Sequence, residues 1–331
     1  MKFELSTEIS PDLVRLFERT VLGTNGAKYK HLDVAKSVAH TDHPLSFSLR
    51  RREQLIANIT FCKRPFGLYL RYFSFDSKFQ SKGKARMNPK SVLKVQIEQV
   101  FQDLERSHGG TANYCYAYID AKNVRSKWMS ETFGFQTKAK LATQSYSRLF
   151  PRANKQLSIE PIAAEHRKII AQTYQHYTGY FTYFFEEGEL ACLRNEQGTL
   201  LAFAKFHKVR WEIQRLPGKF GGAQVKLLPF IPLINRLIQP KEHTFLVPEI
   251  VCNPSGNVRD VDTLFEAVLA KEKLHSMLWW NDTRDALYQQ AKQTFNWGIL
   301  HRLIGVADVD VVFRGQFIPK EPVFVAAFDM V

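Results

Sequence analysis

A chain of 331 residues is long enough for two domains of ordinary size. Its 45% hydrophobic and 24% charged residues exclude a disordered, collagenous or membrane-spanning chain. The net charge of +14 is lopsided: residues 1–150 carry 25 basic and 13 acidic side chains, whereas residues 151–331 carry 21 and 19. Six cations and no carboxylate lie between Lys78 and Lys94, so this stretch favours a polyanion, with phosphates the natural candidates.

In chain order, Lys2 to Leu5 predicts a short strand, and Ser10 with Pro11 starts a helix whose apolar residues are Leu13, Leu16 and Phe17. Two β runs follow, Leu45 to Arg51 and Leu55 to Lys63, then an aromatic strand from Gly67 to Phe75. Pro89 opens an amphipathic helix that ends at His108-Gly109-Gly110. A strand from Asn113 to Ile119, a helix from Val124 to Thr132 stopped by Gly134, and further β structure to Leu149 complete the first half. Residues 151–156 are polar, start with Pro and have no period, which predicts a linker.

The same order then begins again. Leu157 to Pro161 predicts a strand, Ala163 to Tyr177 a helix, and Glu189 to Arg194 with Thr199 to Ile213 a hairpin. His243 to Val251, Ser276 to Trp280 and Val306 to Met330 predict strands, separated by helices at Val261 to Lys273 and Thr283 to Gln293. The repetition defines a tandem repeat: 1–150, a linker at 151–156, and a divergent copy at 157–331. An apolar insertion, Lys226 to Ile238, interrupts the second copy. Its prolines and short length favour an ordinary packed segment over one that touches a membrane or covers an acyl chain. The aromatic run from Tyr174 to Phe185 favours a packed helix over a substrate pocket.

Cys62, Cys115, Cys192 and Cys252 have no paired spacing suited to zinc or a redox dithiol, and burial explains them. No metal is expected. The first ten residues show no secretory signal, and no apolar run reaches the ~20 residues of a spanning helix, so a cytoplasmic setting is expected.

The most specific segment is Phe75 to Ala85, a Gly-containing cationic loop between a strand and a helix. Its backbone N–H groups and the helix start can hold a pyrophosphate. Gln80-x-x-Gly83-x-Ala85, followed some forty residues on by Asn123-x-x-Ser126-x-x-Met129-Ser130-x-Thr132-x-Gly134-Phe135, resembles the GNAT superfamily of acyl-CoA-dependent N-acyltransferases. The resemblance implies two α/β units, each a mixed, mostly antiparallel sheet flanked by helices. It further implies that acetyl-CoA or another acyl-CoA binds through Phe73, Phe75, Gln80, Ser81, Lys82, Gly83, Lys84, Ala85, Asn123 and Ser126. Direct attack by a small-molecule or peptide amine, without a metal, is the implied reaction.

Two departures bear on catalysis. Ser130 stands where the family has a tyrosine acid, and a serine hydroxyl is a far weaker acid than a phenol. The strand from Leu68 to Phe75 also has no carboxylate to serve as base. The second half has a poor anion loop at Asn253 to Val258 but offers Glu249 and Tyr288 at family-like positions. These two are therefore the candidate proton-transfer groups, against the plainer readings of Glu249 as a paired structural carboxylate and Tyr288 as a helix-surface or core tyrosine. The rival readings are an aminoacyl-tRNA-dependent transferase of the same fold, with RNA as partner, and a non-catalytic acyl-CoA-binding protein.

Overall fold

The computed structural model describes residues 3–24, 26–39, 41–64, 67–76, 92–107, 114–182, 187–315 and 318–329. The first half comprises β1 (Phe3–Ser6), α1 (Pro11–Arg19), β2 (Lys28–His31), α2 (Val34–Ala39), β3 (Pro44–Arg51), β4 (Gln54–Arg64) and β5 (Gly67–Phe75). It continues with α3 (Val92–Ser107), β6 (Cys115–Asp120), α4 (Val124–Thr132) and β7 (Gln136–Ser147). The second half begins with β8 (Leu157–Pro161), α5 (Ala164–Tyr174), β9 (Glu189–Arg194) and β10 (Leu200–Arg215). After the short helices α6 (Gly221–Leu227) and α7 (Pro232–Leu237) come β11 (His243–Cys252), α8 (Val258–Glu272) and β12 (Ser276–Asp282). It closes with α9 (Ala286–Thr294), α10 (Ile299–Ile304) and β13 (Val306–Arg314).

Local chemistry sets many of these boundaries. Asn123 caps α4 by accepting from the Ser126 N–H at 3.0 Å, and Asp285 caps α9 by accepting from the Tyr288 N–H at 2.6 Å. The β9–β10 turn is closed by Asn195, whose Oδ1 accepts from the N–H groups of Gln197 and Thr199, and Gly198 takes a φ of +81°. The short, cation-rich β2 and the six-residue α2 have too little apolar period to be read from sequence. After β13 the chain forms no further strand among the described residues, and a 3₁₀ turn at Ala327–Asp329 replaces the β structure expected there.

The strands form one continuous mixed sheet, in the order β1-β3-β4-β5-β6-β13-β7-β12-β11-β10-β9-β8, with β2 paired to β10. The halves are joined by exchange. β13, from the end of the chain, lies between β6 and β7, with Val312 opposite Ala117 on one side and Thr137 on the other. β7 in turn is hydrogen-bonded to β12, with Leu141 opposite Asp282. β2 of the first half extends the second half through Trp211↔His31 and Ile213↔Tyr29.

Ion pairs fix the exchanged strand. Arg314 of β13 is held by Glu98 of α3 at 2.9 Å and donates to the Phe133 carbonyl, and Asp310 is bridged to Lys127 of α4 at 2.8 Å. Exchange also shares the two main cores: Val312 of β13 packs into the one around Phe47, Phe61, Ile97 and Phe101, and Tyr146 of β7 into the one around Leu264, Phe265 and Trp279. All four cysteines are free and buried.

Residues 1–150 produced alone lack β13, and residues 157–331 alone lack the β7 pairing. We expect neither fragment to give a dispersed amide NMR spectrum, and the two co-expressed fragments to recover it. Cooperative unfolding of an isolated fragment would contradict this.

Candidate functional site

Both halves contain a pair of neighbouring parallel strands that part almost at once. β5 and β6 pair only at Leu68↔Cys115 and Tyr69↔Tyr116, and β11 and β12 only at Leu246↔Met277. A β-bulge lies just beyond the last pairing in each case. In β5 the register jumps from Leu70 opposite Phe61 to Tyr72 opposite Thr60, leaving Arg71 as the extra residue. In β11 the jump runs from Glu249 opposite Lys205 to Cys252 opposite Phe203, and within it Ile250 has a φ of +52°. A β-branched residue there is strained by roughly 1–3 kcal/mol, so the surrounding packing must impose it.

The first divergence is open. A cavity of about 810 Å³ is lined on one side by Phe73 and Phe75 of β5, Tyr118 and Asp120 of β6, and Asn123, Ser126 and Ser130 of α4. It continues over the second half, where Trp211, Ile213, His243, Phe245, Ser276 and Leu278 form the opposite wall. Tyr29 of the exchanged β2 stacks on Trp211 at 4.3 Å, and Trp211 meets Phe245 edge-on at 4.7 Å. Lys28, Lys122, Arg125 and Arg215 are also among the lining residues, and among the described residues Asp120 is the one carboxylate there. Asp120 accepts from Thr24 Oγ1 at 2.5 Å and from the Lys122 N–H at 2.8 Å.

The expected site residues separate into three groups. Phe73, Phe75, Asn123 and Ser126 converge on this cavity. Gln80, Ser81, Lys82, Gly83, Lys84 and Ala85 lie outside the described residues. Glu249 and Tyr288 do not line the cavity but lie in the packed interior of the second half.

Both oxygens of Glu249 are engaged, Oε2 with His207 Nε2 at 2.5 Å and Oε1 accepting from the Ala327 N–H at 2.8 Å. Tyr288 packs against Trp279, its hydroxyl faces Gln144 Oε1 at 3.4 Å, and burial pushes its pKa up to about 12. Ser130 donates to the Lys127 carbonyl within its own helix at 2.8 Å. The far wall escaped the sequence reading because Tyr29 reaches Trp211 and its β11 partner His243 only where β2 crosses to β10.

The second divergence is filled by the chain itself. Residues 323–325 lie against β11 and β12 around a void of about 30 Å³, with the Val323 N–H donating to Asp282 at 2.8 Å. Tyr174, Tyr180 and Phe181 pack there against Phe324, as a core rather than a pocket. The segment then reaches the first half. Asp329 is bound by Arg64 at 2.8 Å and by the bulge residue Arg71 at 2.6 Å, all three side chains being fully buried, and its carbonyl accepts from the Tyr69 hydroxyl.

Glu160, His166 and Cys192 bring metal-ligating atoms within 4.8 Å of one another. His166 Nδ1 accepts the Ala163 N–H at 3.1 Å, so Nε2 carries the proton, and it faces Cys192 Sγ at 3.6 Å. Glu160 is held by two 2.9 Å bonds from Arg194. This donor set is already paired internally and does not suit a cation.

No protein-family model and no curated protein matches the sequence. Among solved structures, the chain is similar to Saccharomyces cerevisiae N-myristoyltransferase with bound myristoyl-CoA, at 8% identity and a TM-score of 0.57, covering 96% of this chain and 80% of that one. It is also similar to a tandem GNAT protein from the clavulanic acid biosynthesis pathway, at 9% identity and a TM-score of 0.52, covering 94% and 98%. The fold is that of a tandem GNAT protein, two GNAT units in one chain.

Two measurements probe the site. Asp329→Ala removes the carboxylate that Arg64 and Arg71 share, leaving Arg64 with Asp42 and Arg71 with Ser37 and Tyr72, so the variant should lose up to about 3–5 kcal/mol in chemical denaturation, whereas an exposed pair would cost under ~1 kcal/mol. The second concerns pH. Burial holds His243 and His31 down at about 4, with the Arg71 charge adding to the effect on His31. Ordinary histidine titrates near 6.5, so between about pH 6.5 and 4 the unfolded chain binds more protons and stability falls as pH drops. We expect roughly 1–3 kcal/mol per histidine across this window, checked by thermal melts of wild type and His243→Gln.

Proposed function

We propose that the protein is an acyl-CoA-dependent N-acyltransferase whose co-substrate enters the β5–β6 divergence of the first half. The observation that carries this reading is the contrast between the two clefts: one opens into a cavity edged by cations, and the other is plugged by residues 323–325. The diphosphate would rest on the loop from Gln80 to Ala85 and near Lys122 and Arg125, where cations and the start of α4 favour an anion. The pantetheine would pass between Phe73, Phe75 and Ser126. The bulge at Arg71 turns β5 at the edge of the cavity, and a backbone N–H of the diverging strand would bind the thioester carbonyl and the oxyanion formed from it.

The reaction is attack of an amine lone pair on the thioester carbon, forming the C–N bond and expelling the thiolate. The ammonium must first lose a proton. Asp120 and His243, which is neutral above about pH 4, are the cavity groups able to accept it. Glu249 and Tyr288 are assigned a supporting role, because both are buried, already hydrogen-bonded and outside the cavity lining.

The apolar wall of Trp211, Ile213, Phe245, Met277 and Leu300 suits an acyl chain longer than acetyl, as carried by the myristoyl-CoA bound to the yeast neighbour. Calorimetry with acetyl-, butyryl-, octanoyl- and myristoyl-CoA should show affinity rising roughly threefold to fourfold per methylene until the chamber is full, at about 0.8 kcal/mol for each. Gly83→Asp should weaken every member of the series alike. Affinity independent of chain length would return the chamber to the acceptor, and no binding of any acyl-CoA would remove the reading.

A second reading, a non-catalytic acyl-CoA-binding protein, is favoured by Ser130, whose hydroxyl is spent on its own helix. Release of free coenzyme A on adding an amine decides against it.

A further inference from the structure

The insertion between β10 and β11 does not pack as an ordinary buried segment. Leu228, Leu237 and Ile238 turn inward and join Leu300 of α10 in a small core. The alternate residues face out: Phe230 is 80% exposed, Phe220 68%, Leu227 59% and Leu233 52%, and Leu303 of α10 is 62% exposed beside them. Single exposed apolar residues need no account, but a cluster of large ones on two adjoining segments does. Phe150, also exposed, carries the Arg236 guanidinium over its ring at 5.1 Å.

Charge narrows what can cover this surface. From residue 217 to 241 there are four cations, Lys219, Lys226, Arg236 and Lys241, and no carboxylate. A second copy of the chain docking face to face would bring the same cations together, which a symmetric interface disfavours. Protruding aromatic and aliphatic side chains on short helices, ringed by Lys and Arg, instead match a bilayer surface, with the apolar groups at the acyl boundary and the cations among anionic headgroups. No helix among the described residues is long and apolar enough to cross a membrane, so contact would be confined to the interface.

We propose that residues 217–238 and α10 form a peripheral docking surface for an anionic phospholipid bilayer. Position gives the surface a use. The inner residues Leu216, Ile238 and Leu300, with the exposed Ile304, line the central cavity, so docking turns that side of the cavity toward the lipid. Docking stands on the surface alone; only its use in supplying an acylated or lipidic substrate rests on the acyl-CoA reading.

The test uses the full chain without coenzyme A, sedimented with vesicles of phosphatidylcholine containing about 30 mol % phosphatidylglycerol. Wild type should sediment with these vesicles, less with pure phosphatidylcholine and less in about 0.5 M salt. The exposed double variant Phe230→Glu/Leu233→Glu should partition at least roughly tenfold more weakly, and Lys219→Glu/Lys226→Glu severalfold more weakly, with wild-type thermal midpoints showing that both fold. Wild type left in the supernatant, or a Phe230→Glu/Leu233→Glu variant that sediments as wild type does, overturns the proposal. So does a wild-type dimer at micromolar concentration that the same variant dissociates, which would assign the surface to a second copy. Acyl-CoA affinity, read by calorimetry in solution, is independent of all these outcomes.

Discussion

A parallel strand pair that lasts one or two residues and then opens leaves backbone donors and acceptors facing each other with nothing between them. Buried groups of this kind must find partners, and each one left without costs on the order of a hydrogen bond. The architecture contains this problem twice, after Tyr69 and after Leu246, and solves it in two ways. The second half uses its own chain, with Val323, Phe324 and Ala327 tied to Asp282, Thr178 and Glu249. The first half leaves the space open, as the mouth of a cavity of about 810 Å³.

The filled cleft and the open one are mechanically connected. The segment that plugs the second half ends in a turn whose Asp329 binds Arg71, the bulge residue at the mouth of the first. Buried ion pairs of this sort fix geometry more than they add stability. Here the fixed element is the point where β5 leaves the ladder, and with it the direction of the backbone groups on which acyl transfer would depend. Glu249 belongs to the same structure, since it anchors the Ala327 N–H and joins β11 to β10 through His207.

The sequence carried the order of elements and the two-copy plan, because hydrophobic period and capping residues such as Asn123 and Asp285 act locally. It also carried the near wall of the cavity, since Asn123 and Ser126 belong to a motif with fixed spacing, and Phe73 and Phe75 to the strand that leads into the loop. Strand exchange was not legible, because no local pattern says which sheet position β13 takes. The far wall was lost with it: Tyr29 and Trp211 are remote in sequence and meet only because β2 crosses to β10. Glu249 and Tyr288 were singled out by position, yet chemical availability depends on burial and existing partners, which spacing does not report. The insertion ran the other way. Its composition is that of a packed segment, and only the alternation of inward Leu228 and Leu237 with outward Phe230 and Leu233 shows that half of it is left uncovered.

Reciprocal exchange of β7 and β13 has a consequence for symmetry. Two separate one-unit chains trading these strands would build a sheet with the same central order, but both clefts would then be identical, and any segment that plugged one would plug the other. Covalent linkage removes that obligation. With the copies encoded separately in one chain, the second can give up its cleft, lend its strands and its terminal segment as a wall and a brace, and leave the first a chamber larger than one unit encloses alone.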